Sequence, residues 1–357
     1  MRIGWHILYY PLAIFGIASS LSAIFADRNI HLAGEQSTWV KMMAFPLALA
    51  LYRRAPSLRD LALRMILFFG ATIAIMGFGQ YLIEGQRDLE HRITGPASHV
   101  MTFSGLLLPV ALIFLVLWFH DRRNLWLLGG AALTTSALML TFTRSAWLGW
   151  VVAVFALLLI RRPRWIIVAV PLLVLFIDFM PLAMFGRLIS TFDTRQSSNL
   201  DRIRMVEGGV EIIKDYPLLG VGPANVKEIY PLYRKPDAPR FRIPHLHNNV
   251  VQLWAERGVL ALAAYLLLLA LFVRACFRSL GTPGERYGEM GLAVTIGLTV
   301  AGLFEFNFGD TEIFFMLLDT MALVIAFVEP YEVQAGDLSR ANEAGGVAVP
   351  VLDPIRL

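Results

Sequence analysis

Two histidines and an asparagine that precede a long apolar run are the first candidates for chemistry in this sequence. His245, His247 and Asn248 stand just before a run that begins near residue 250. A neutral imidazole can accept a proton near pH 7, and the free amides at a helix N-terminus favour an anion. The motif therefore fits general-base catalysis, simple capping of a helix, or a His-x-His zinc site, which would need further ligands.

Arginines form the second set of candidates. Arg144 lies in a very short connection between two apolar runs, where a charge is costly unless it has a partner or snorkels to the interface. Arg202 and Arg204 lie on a predicted helix with apolar residues at helical spacing. Arg202 falls towards its packed face and is the better functional candidate. Arg204 precedes Glu207 and Glu211 by three and seven residues, the spacing of an exposed ion-pair row, which favours a structural role.

Two turns add candidates for binding through the backbone. Arg92 opens a polar loop that contains a Gly–Pro pair, which indicates a shaped turn. Gly220 and Gly222 lie in the segment Pro-Leu-Leu-Gly-Val-Gly-Pro. Two prolines and two glycines in seven residues predict a rigid turn that allows close approach of a neighbouring backbone.

Acidic residues are few in the apolar part of the chain. Glu256 lies on the run after the histidines, and Asp178 and Asp319 lie inside apolar runs, where each is by default a functional or paired site. The sequence has no Gly-x-x-x-x-Gly-Lys-Ser/Thr phosphate loop, which disfavours ATP hydrolysis. No Asp-x-Asp pair occurs in the predicted outer loops, which disfavours a metal-dependent transferase that uses a nucleotide-sugar donor.

The composition predicts an all-α, polytopic membrane protein. Of the 357 residues, 57% are hydrophobic and 16% are charged, whereas soluble domains carry about 25% charged residues. The long apolar runs must be helical in lipid, because every backbone amide needs an internal partner. About ten spans are predicted: 7–25, 39–52, 61–83, 101–119, 125–142, 146–160, 165–180, 250–272, 287–304 and 312–328. The first is interpreted as a retained span rather than a cleaved signal peptide.

Charge and cysteine content exclude several other classes. The net charge of +4 reflects arginines at span ends rather than a nucleic-acid-binding patch. With Cys276 as the single cysteine, the chain has no internal disulfide and no cysteine-rich metal site.

The distribution of Lys and Arg in short loops predicts the topology. Both termini are expected on the cytoplasmic side and the long connection between the seventh and eighth spans on the outer side. The predicted units are a membrane bundle at 1–180, an outer loop domain at 181–249, three further spans at 250–328 and a disordered tail at 329–357.

Together these motifs resemble the O-antigen ligase and polymerase superfamily of bacterial envelope glycosyltransferases. The resemblance runs from about Arg92 to about Leu262. It rests on three segments: the Thr-Arg-Ser-Ala-Trp-Leu-Gly stretch at 143–149, the loop arginine Arg202 with its helix and Pro-Leu-Leu-Gly-Val-Gly turn, and His247-Asn248 followed after nine residues by Gly258.

The resemblance implies a GT-C-like membrane fold and transfer of a glycan, with inversion, from an undecaprenyl-diphosphate carrier to a periplasmic acceptor such as the lipid A core. It implies that no metal or other cofactor takes part and that the enzyme lies in the bacterial inner membrane, with membrane lipids as further partners. His247 is the implied base, and Arg202 and Arg144 are the implied catalytic groups on the diphosphate. Substrate binding is expected from Arg92, His245, Asn248, Arg204, Gly220, Gly222 and Glu256.

Other functions remain open at this point. A polysaccharide polymerase of the same superfamily differs in its acceptor, which the sequence does not reveal, and a protein O-glycosyltransferase is a further variant. A transporter without covalent chemistry is the alternative of another class, in which Asp178 and Asp319 would mark a pathway. The chain has no pair of Gly/Pro-broken spans in corresponding halves, as inverted-repeat transporters often have.

Overall fold

The computed structural model describes residues 5–26, 32–84, 92–161 and 197–329, with a few isolated residues between 163 and 189. These residues form eleven helices, and no strand occurs among them. The helices are α1 (Tyr9–Phe25), α2 (Leu32–Arg54), α3 (Pro56–Glu84), α4 (Val100–His120), α5 (Leu125–Leu140), α6 (Arg144–Arg161), α7 (Ser197–Asp215), α8 (Val226–Tyr233), α9 (Asn249–Arg278), α10 (Glu285–Gly302) and α11 (Thr311–Val328).

Nine of the ten predicted spans coincide with helices in this part of the chain. Nearly all of the predicted span at 165–180, including Asp178, and the tail from 330 onward lie outside the described residues. Five helices, α3, α4, α6, α9 and α11, are long and apolar enough to cross a membrane, and α1 and α5 are shorter apolar helices. α2 continues through Pro46 and has 23 residues, more than its predicted span. The predicted class, an all-helical membrane protein, is confirmed.

Helix α10 lies at the centre of the bundle, where it packs against α4, α6, α9 and α11. At its crossing with α6, a Cβ atom on Gly149 would stand 2.4 Å from the carbonyl oxygen of Gly297. Small residues at such a crossing let membrane helices approach closely. The outward faces of the surrounding helices carry exposed apolar side chains, such as Phe68 and Ile75 on α3. The bundle thus has a packed interior and a surface suited to lipid.

The two ends of the bundle differ in what they carry. The loop end is the end that carries α7 and α8, and the opposite end holds the last turn of α6 and the first turn of α10. At the opposite end, Tyr287 of α10 stacks on Phe327 of α11 with ring centroids 3.5 Å apart. Arg59 covers the same Phe327 ring at 4.0 Å. Arg286 donates to the Tyr287 hydroxyl and Arg161 pairs with Glu289 at the same end, so arginines predicted to share one side of the membrane lie together here.

Asp319, predicted to be paired or functional, is paired. The Tyr52 hydroxyl of α2 donates a hydrogen bond of 2.6 Å to Asp319 Oδ1 on α11. This contact gives the carboxyl group a structural partner between two helices that pack on each other.

The residues of α7, α8 and the following segment form a small core of their own at the loop end. The helix predicted from the apolar spacing of residues 200–213 is observed as α7, with 19 residues. It packs on α8 and on the first turns of α9. Buried side chains shared by these elements are Met205, Ile212, Val221, Val226, Ile229, Tyr230, Ile243, Leu246 and Ala255.

The predicted glycine turn joins this core to α9. Gly220 and Gly222 have positive φ angles of 69° and 93°. The backbone N–H of Gly222 donates to the carbonyl of Glu256 at 2.9 Å. Helix α9 is kinked at Gly258, with φ 78° and ψ 176°, and a Cβ atom there would stand 1.9 Å from the Leu218 carbonyl oxygen. The turn therefore fits into the kink, and glycine is required on both sides of the contact.

Candidate active site

His245, His247 and Glu305 form the centre of a polar cluster at the loop end. The Nδ1 atom of His247 lies 2.9 and 3.0 Å from the two carboxylate oxygens of Glu305. His245 Nε2 lies 3.7 Å from Glu305 Oε1, and the two imidazole rings are 4.2 Å apart. Arg202 Nη2 lies 3.5 Å from Glu305 Oε2. The segment before α9, helix α7 and the segment after α10 therefore meet at one point.

Three arginines surround this cluster: Arg92, Arg144 and Arg202. Burial lowers the pKa of Arg92, and the positive charge of Arg202 lowers it further, whereas the charge of Glu305 opposes this. Arg144 interacts electrostatically with the other two arginines. Guanidinium groups stay charged in proteins, so one carboxylate faces three positive charges. Such an excess suits an anion with several oxygen atoms.

Arg92 is held by the loop that leads into α4. The side-chain oxygen of Gln80 accepts hydrogen bonds of 2.9 Å from the backbone N–H groups of Thr94 and Gly95. Gly95 has a φ of 53°, and a Cβ atom there would stand 2.6 Å from the Phe103 ring. Arg92 Nη1 is buried and has no hydrogen-bond partner within the part of the chain that the structure describes. A loop fixed in this way presents a guanidinium nitrogen that an anion could satisfy.

Arg144, the first residue of α6, joins that helix to α7. Its Nη2 donates to Asn199 Oδ1 at 2.6 Å and to Ser198 Oγ at 3.3 Å. Arg202 follows one turn later on α7. The short connection between α5 and α6, predicted from the sequence, therefore places one arginine beside another that is remote in the chain.

Glu305 was not among the residues singled out from the sequence. It lies between α10 and α11, in a connection whose acidic residues are Glu305 and Asp310. The Asn248 amide donates to the Leu303 carbonyl at 2.8 Å, and the Asn249 amide donates to the Asn307 side chain. These bonds fix the connection to the start of α9. The sequence could have indicated Glu305 in one way: it is an acidic residue in a short loop that is predicted to lie on the same side of the membrane as the histidines.

The hydrogen bonds define the proton positions. The backbone N–H of His247 donates to His245 Nδ1 at 3.3 Å. Burial is the main cause that lowers the pKa of His245 to about 4, so this ring is neutral at pH 7. Burial alone would raise the pKa of Glu305, but the hydrogen bond from His247 and the nearby positive charges outweigh it and lower the pKa. Glu305 is thus a carboxylate that accepts from His247 Nδ1, which leaves His247 Nε2 free to take a proton.

Several predicted binding residues lie away from this centre. Arg204 forms ion pairs of 2.6 Å with Glu207, as its spacing predicted, and with Asp237. Glu211 pairs with Lys214 at 3.1 Å instead of with Arg204.

The glycine turn and the residue it rests on are also outside the cluster. Gly220 and Gly222 contact the backbone of α9 near Glu256. The Glu256 side chain is buried and lies close to the backbone amides of Ala224 and Val226. Asn248 caps α9 by accepting from Val251 N at 3.0 Å. The structure therefore brings together His245, His247, Arg92, Arg144 and Arg202, with Asn248 at their edge.

The two histidines and Glu305 are also close enough to share a metal ion. Their potential ligand atoms lie within 4.8 Å of one another. The surrounding arginines oppose this use, because a divalent cation would add to an existing excess of positive charge. The residues of this site suit an anion better than a cation.

Comparison with known families agrees with these features. Residues 129–266 match the family described as O-antigen ligase. This segment of the chain is therefore similar to O-antigen ligases. It includes Arg144, Arg202 and His247, whereas Arg92 and Glu305 lie outside it. The resemblance inferred from the sequence is confirmed, and a comparison with curated proteins gives no match.

Proposed function

We propose that this protein transfers a glycan from undecaprenyl diphosphate to a hydroxyl group of a periplasmic acceptor, as an O-antigen ligase does. The observation that carries the proposal is the meeting of three arginines with a His–Glu pair at the loop end. The match of residues 129–266 to the O-antigen ligase family supports a lipid-linked glycan as the substrate.

The His247–Glu305 pair supplies the base in this mechanism. The acceptor hydroxyl attacks the anomeric carbon as its proton passes to His247 Nε2. Glu305 holds Nδ1–H at 2.9 Å and stabilises the imidazolium that forms, the role of a carboxylate behind a catalytic histidine. His245 is neutral at pH 7 and packs beside this ring.

The arginines act on the leaving group. As the bond from the anomeric carbon to the diphosphate oxygen breaks, its electron pair stays on the diphosphate and adds negative charge. Arg144, Arg202 and Arg92 would bind this charge through fork-shaped, permanently charged donors. A direct displacement of this kind inverts the anomeric centre. The diphosphate itself activates the donor, so no ATP is needed outside the membrane.

The proposed topology follows the sequence. The bundle at 1–180, the outer loop domain at 181–249, the spans at 250–328 and the tail at 329–357 would place the site on the periplasmic face of the inner membrane. Both termini would then be cytoplasmic. The positive excess of the site favours a metal-independent reaction.

A transfer assay tests the proposal directly. Purified protein is incubated with undecaprenyl-diphosphate-linked glycan and lipid A core, with and without EDTA. We expect product formation that EDTA does not reduce and that His247→Ala abolishes. Product formation by His247→Ala at the wild-type rate would refute the mechanism. Strict dependence on an ion gradient, with no covalent product, would identify a transporter instead.

The acceptor decides between a ligase and a polymerase. In a strain that lacks this protein, a ligase predicts a lipid A core with no attached O-antigen. A polymerase predicts a single attached repeat unit. Transfer to a protein instead of a glycan would identify a protein O-glycosyltransferase.

A further inference from the structure

Two buried polar side chains on α9 lie directly beneath the catalytic histidine. Gln252 is 1% exposed and Glu256 is 4% exposed. They are four residues apart, so they share one face of the helix. Neither touches the arginines or Glu305 through a hydrogen bond in the described part of the chain. A buried polar side chain is costly unless it is hydrogen-bonded, so the partners of these two residues indicate what they hold in place.

Gln252 connects α9 to the histidine segment. Its Oε1 accepts a hydrogen bond of 2.7 Å from the backbone N–H of Leu246, which lies between His245 and His247. His247 has a positive φ of 53°. A non-glycine residue in this conformation is strained and persists only when its surroundings hold it.

Glu256 connects Gln252 to the glycine turn. Its carboxyl group lies close enough to interact with the Gln252 side chain and with the backbone amides of Ala224 and Val226. Ala224 also has a positive φ, of 60°. One hydrogen bond, from Leu246 to Gln252, and the polar contacts of Glu256 therefore link two positions with positive φ, Ala224 in the turn and His247 in the site.

We propose that Gln252 and Glu256 are positioning residues, which hold the left-handed backbone at His247 and so direct its imidazole between Glu305 and the substrate. This inference rests on the proposed function. Neither side chain takes a proton from the acceptor or binds the donor. Their effect passes through the Leu246 amide, and an error of about 1 Å in the position of a catalytic group can cost about 100-fold in rate.

An exchange of the two residues tests the hydrogen-bond path. In Gln252→Glu alone, two carboxyl groups face each other and the amide donor is lost, so we expect kcat to fall about 100-fold. In Glu256→Gln alone, one acceptor is missing, and we expect about a 10-fold loss. The double variant Gln252→Glu/Glu256→Gln again provides an acceptor for Leu246 and a donor between the two side chains. We expect it to return to within about 10-fold of wild type.

The assay measures kcat and the KM for the lipid-linked donor. The concentration of folded protein, obtained from thermal unfolding in detergent, is used to calculate kcat. A positioning role lowers kcat and leaves KM within about 3-fold. Ser22→Ala is the matched control, because its hydroxyl donates to the Glu256 carbonyl at 2.8 Å in the same buried contact without joining the side-chain path. We expect its kcat to stay within about 3-fold of wild type.

Independent structural roles would give a different result. The losses of the two single variants would then multiply in the double variant, and that outcome overturns the inference. If Gln252→Glu does not fold, Gln252→Met is compared with Ser22→Ala, and equal kcat values in that pair also overturn it. Different experimental outcomes would refute the positioning role and the proposed function. Transfer by His247→Ala refutes the function, whereas an inactive His247→Ala with multiplying losses at 252 and 256 refutes only the positioning role.

Discussion

The two ends of the bundle each hold a histidine, a glutamate and an arginine in contact, but the charges are balanced differently. At the opposite end, Glu289 is fully buried and accepts from Arg161 Nε at 2.7 Å and pairs with His120 Nε2 at 3.0 Å. Arg161 also contacts the His120 ring and the Phe119 carbonyl. At the loop end, Glu305 faces two histidines and Arg202, with further arginines around them.

This difference separates a cluster that is paired within the protein from one that has an excess of positive charge. The cluster around Glu289 is complete, since its carboxylate oxygens and the arginine beside them are paired inside the protein. The cluster around Glu305 has more positive charge than its own carboxylate can neutralise, and Arg92 Nη1 has no hydrogen-bond partner among the described residues. The same residue types therefore connect helices at one end and are suited to bind an anion at the other.

Replacement of the histidine at each end should give the largest difference in glycan transfer between the two clusters. His247→Ala should reduce glycan transfer by about 1,000-fold or more, because it removes the base. His120→Ala should leave transfer per folded protein within about 3-fold and act on stability instead. Product formation by the two purified variants is measured against wild type. Similar losses of transfer in both variants would contradict the claim that only the histidine at the loop end takes part in transfer.

The buried carboxylate at the opposite end should matter for folding. Glu289→Gln leaves the Arg161 charge without its partner, and breaking a buried pair costs about 3–5 kcal/mol. Thermal or denaturant unfolding in detergent measures this loss. The fraction that remains folded should transfer glycan normally. A stability equal to that of wild type would contradict the structural role.

Replacing the fork-shaped donor of Arg202 should weaken catalysis while keeping the charge. Arg202→Lys retains a cation but loses bidentate bonding, so we expect kcat to fall about 100-fold. The matched control is Arg161→Lys at the opposite end, which should affect unfolding more than transfer. If both lysine variants transfer glycan at the wild-type rate, the diphosphate is bound elsewhere.

The lowered pKa of Glu305 predicts an acid-sensitive contribution to stability. A carboxylate whose folded pKa is depressed stabilises the protein above its unfolded pKa, and this stabilisation is lost as the pH falls through the folded pKa. Glu305→Gln should therefore flatten the loss of stability below the ordinary Glu pKa of about 4.3. Unfolding measured from pH 7 downward, with Glu207→Gln as the exposed control, tests this. Parallel curves for wild type and Glu305→Gln would count against it.

The smallest effect is expected at the neighbouring helical arginine. Arg204 is paired with Glu207 and Asp237 on the surface, and such pairs contribute little. Arg204→Ala should therefore keep transfer within about 3-fold of wild type. A loss equal to that of Arg202→Ala would contradict the helix-face argument and would support Arg204 as a substrate-binding residue.

Most of the membrane fold could be predicted because lipid imposes one rule. Apolar runs must become helices, and nine of the predicted spans are observed as such. The 200–213 helix was predictable for a different reason, because its apolar residues recur at helical spacing on one face. The paired state of Asp319 was predictable as an alternative, but its partner Tyr52 was not, because the pair joins α2 and α11.

The site was predictable only where a segment carried its own signal. His247, Arg202 and Arg144 stand in local motifs, whereas Glu305 stands in a short loop without a motif and is brought to His247 by the packing of α10 against α9. Glu256 shows the converse. Its place beside the histidine motif suggested contact with substrate, but on α9 it lies about two turns into the helix, where the glycine turn covers it.

The position of the kink at Gly258 allows an estimate of how far the site lies above the hydrocarbon core of the membrane. Residues 259–278 form twenty helical residues, about 30 Å, which equals the thickness of a hydrocarbon core. The nine residues from Asn249 to Arg257 then raise the histidines by at most about 14 Å above that core. A headgroup layer adds about 5–8 Å on each side of the core, so this upper limit reaches the outer boundary of that layer. If the proposed function holds, a diphosphate tethered to a membrane lipid would meet the arginines at this boundary, and the length of a single helix would set the depth of the reaction.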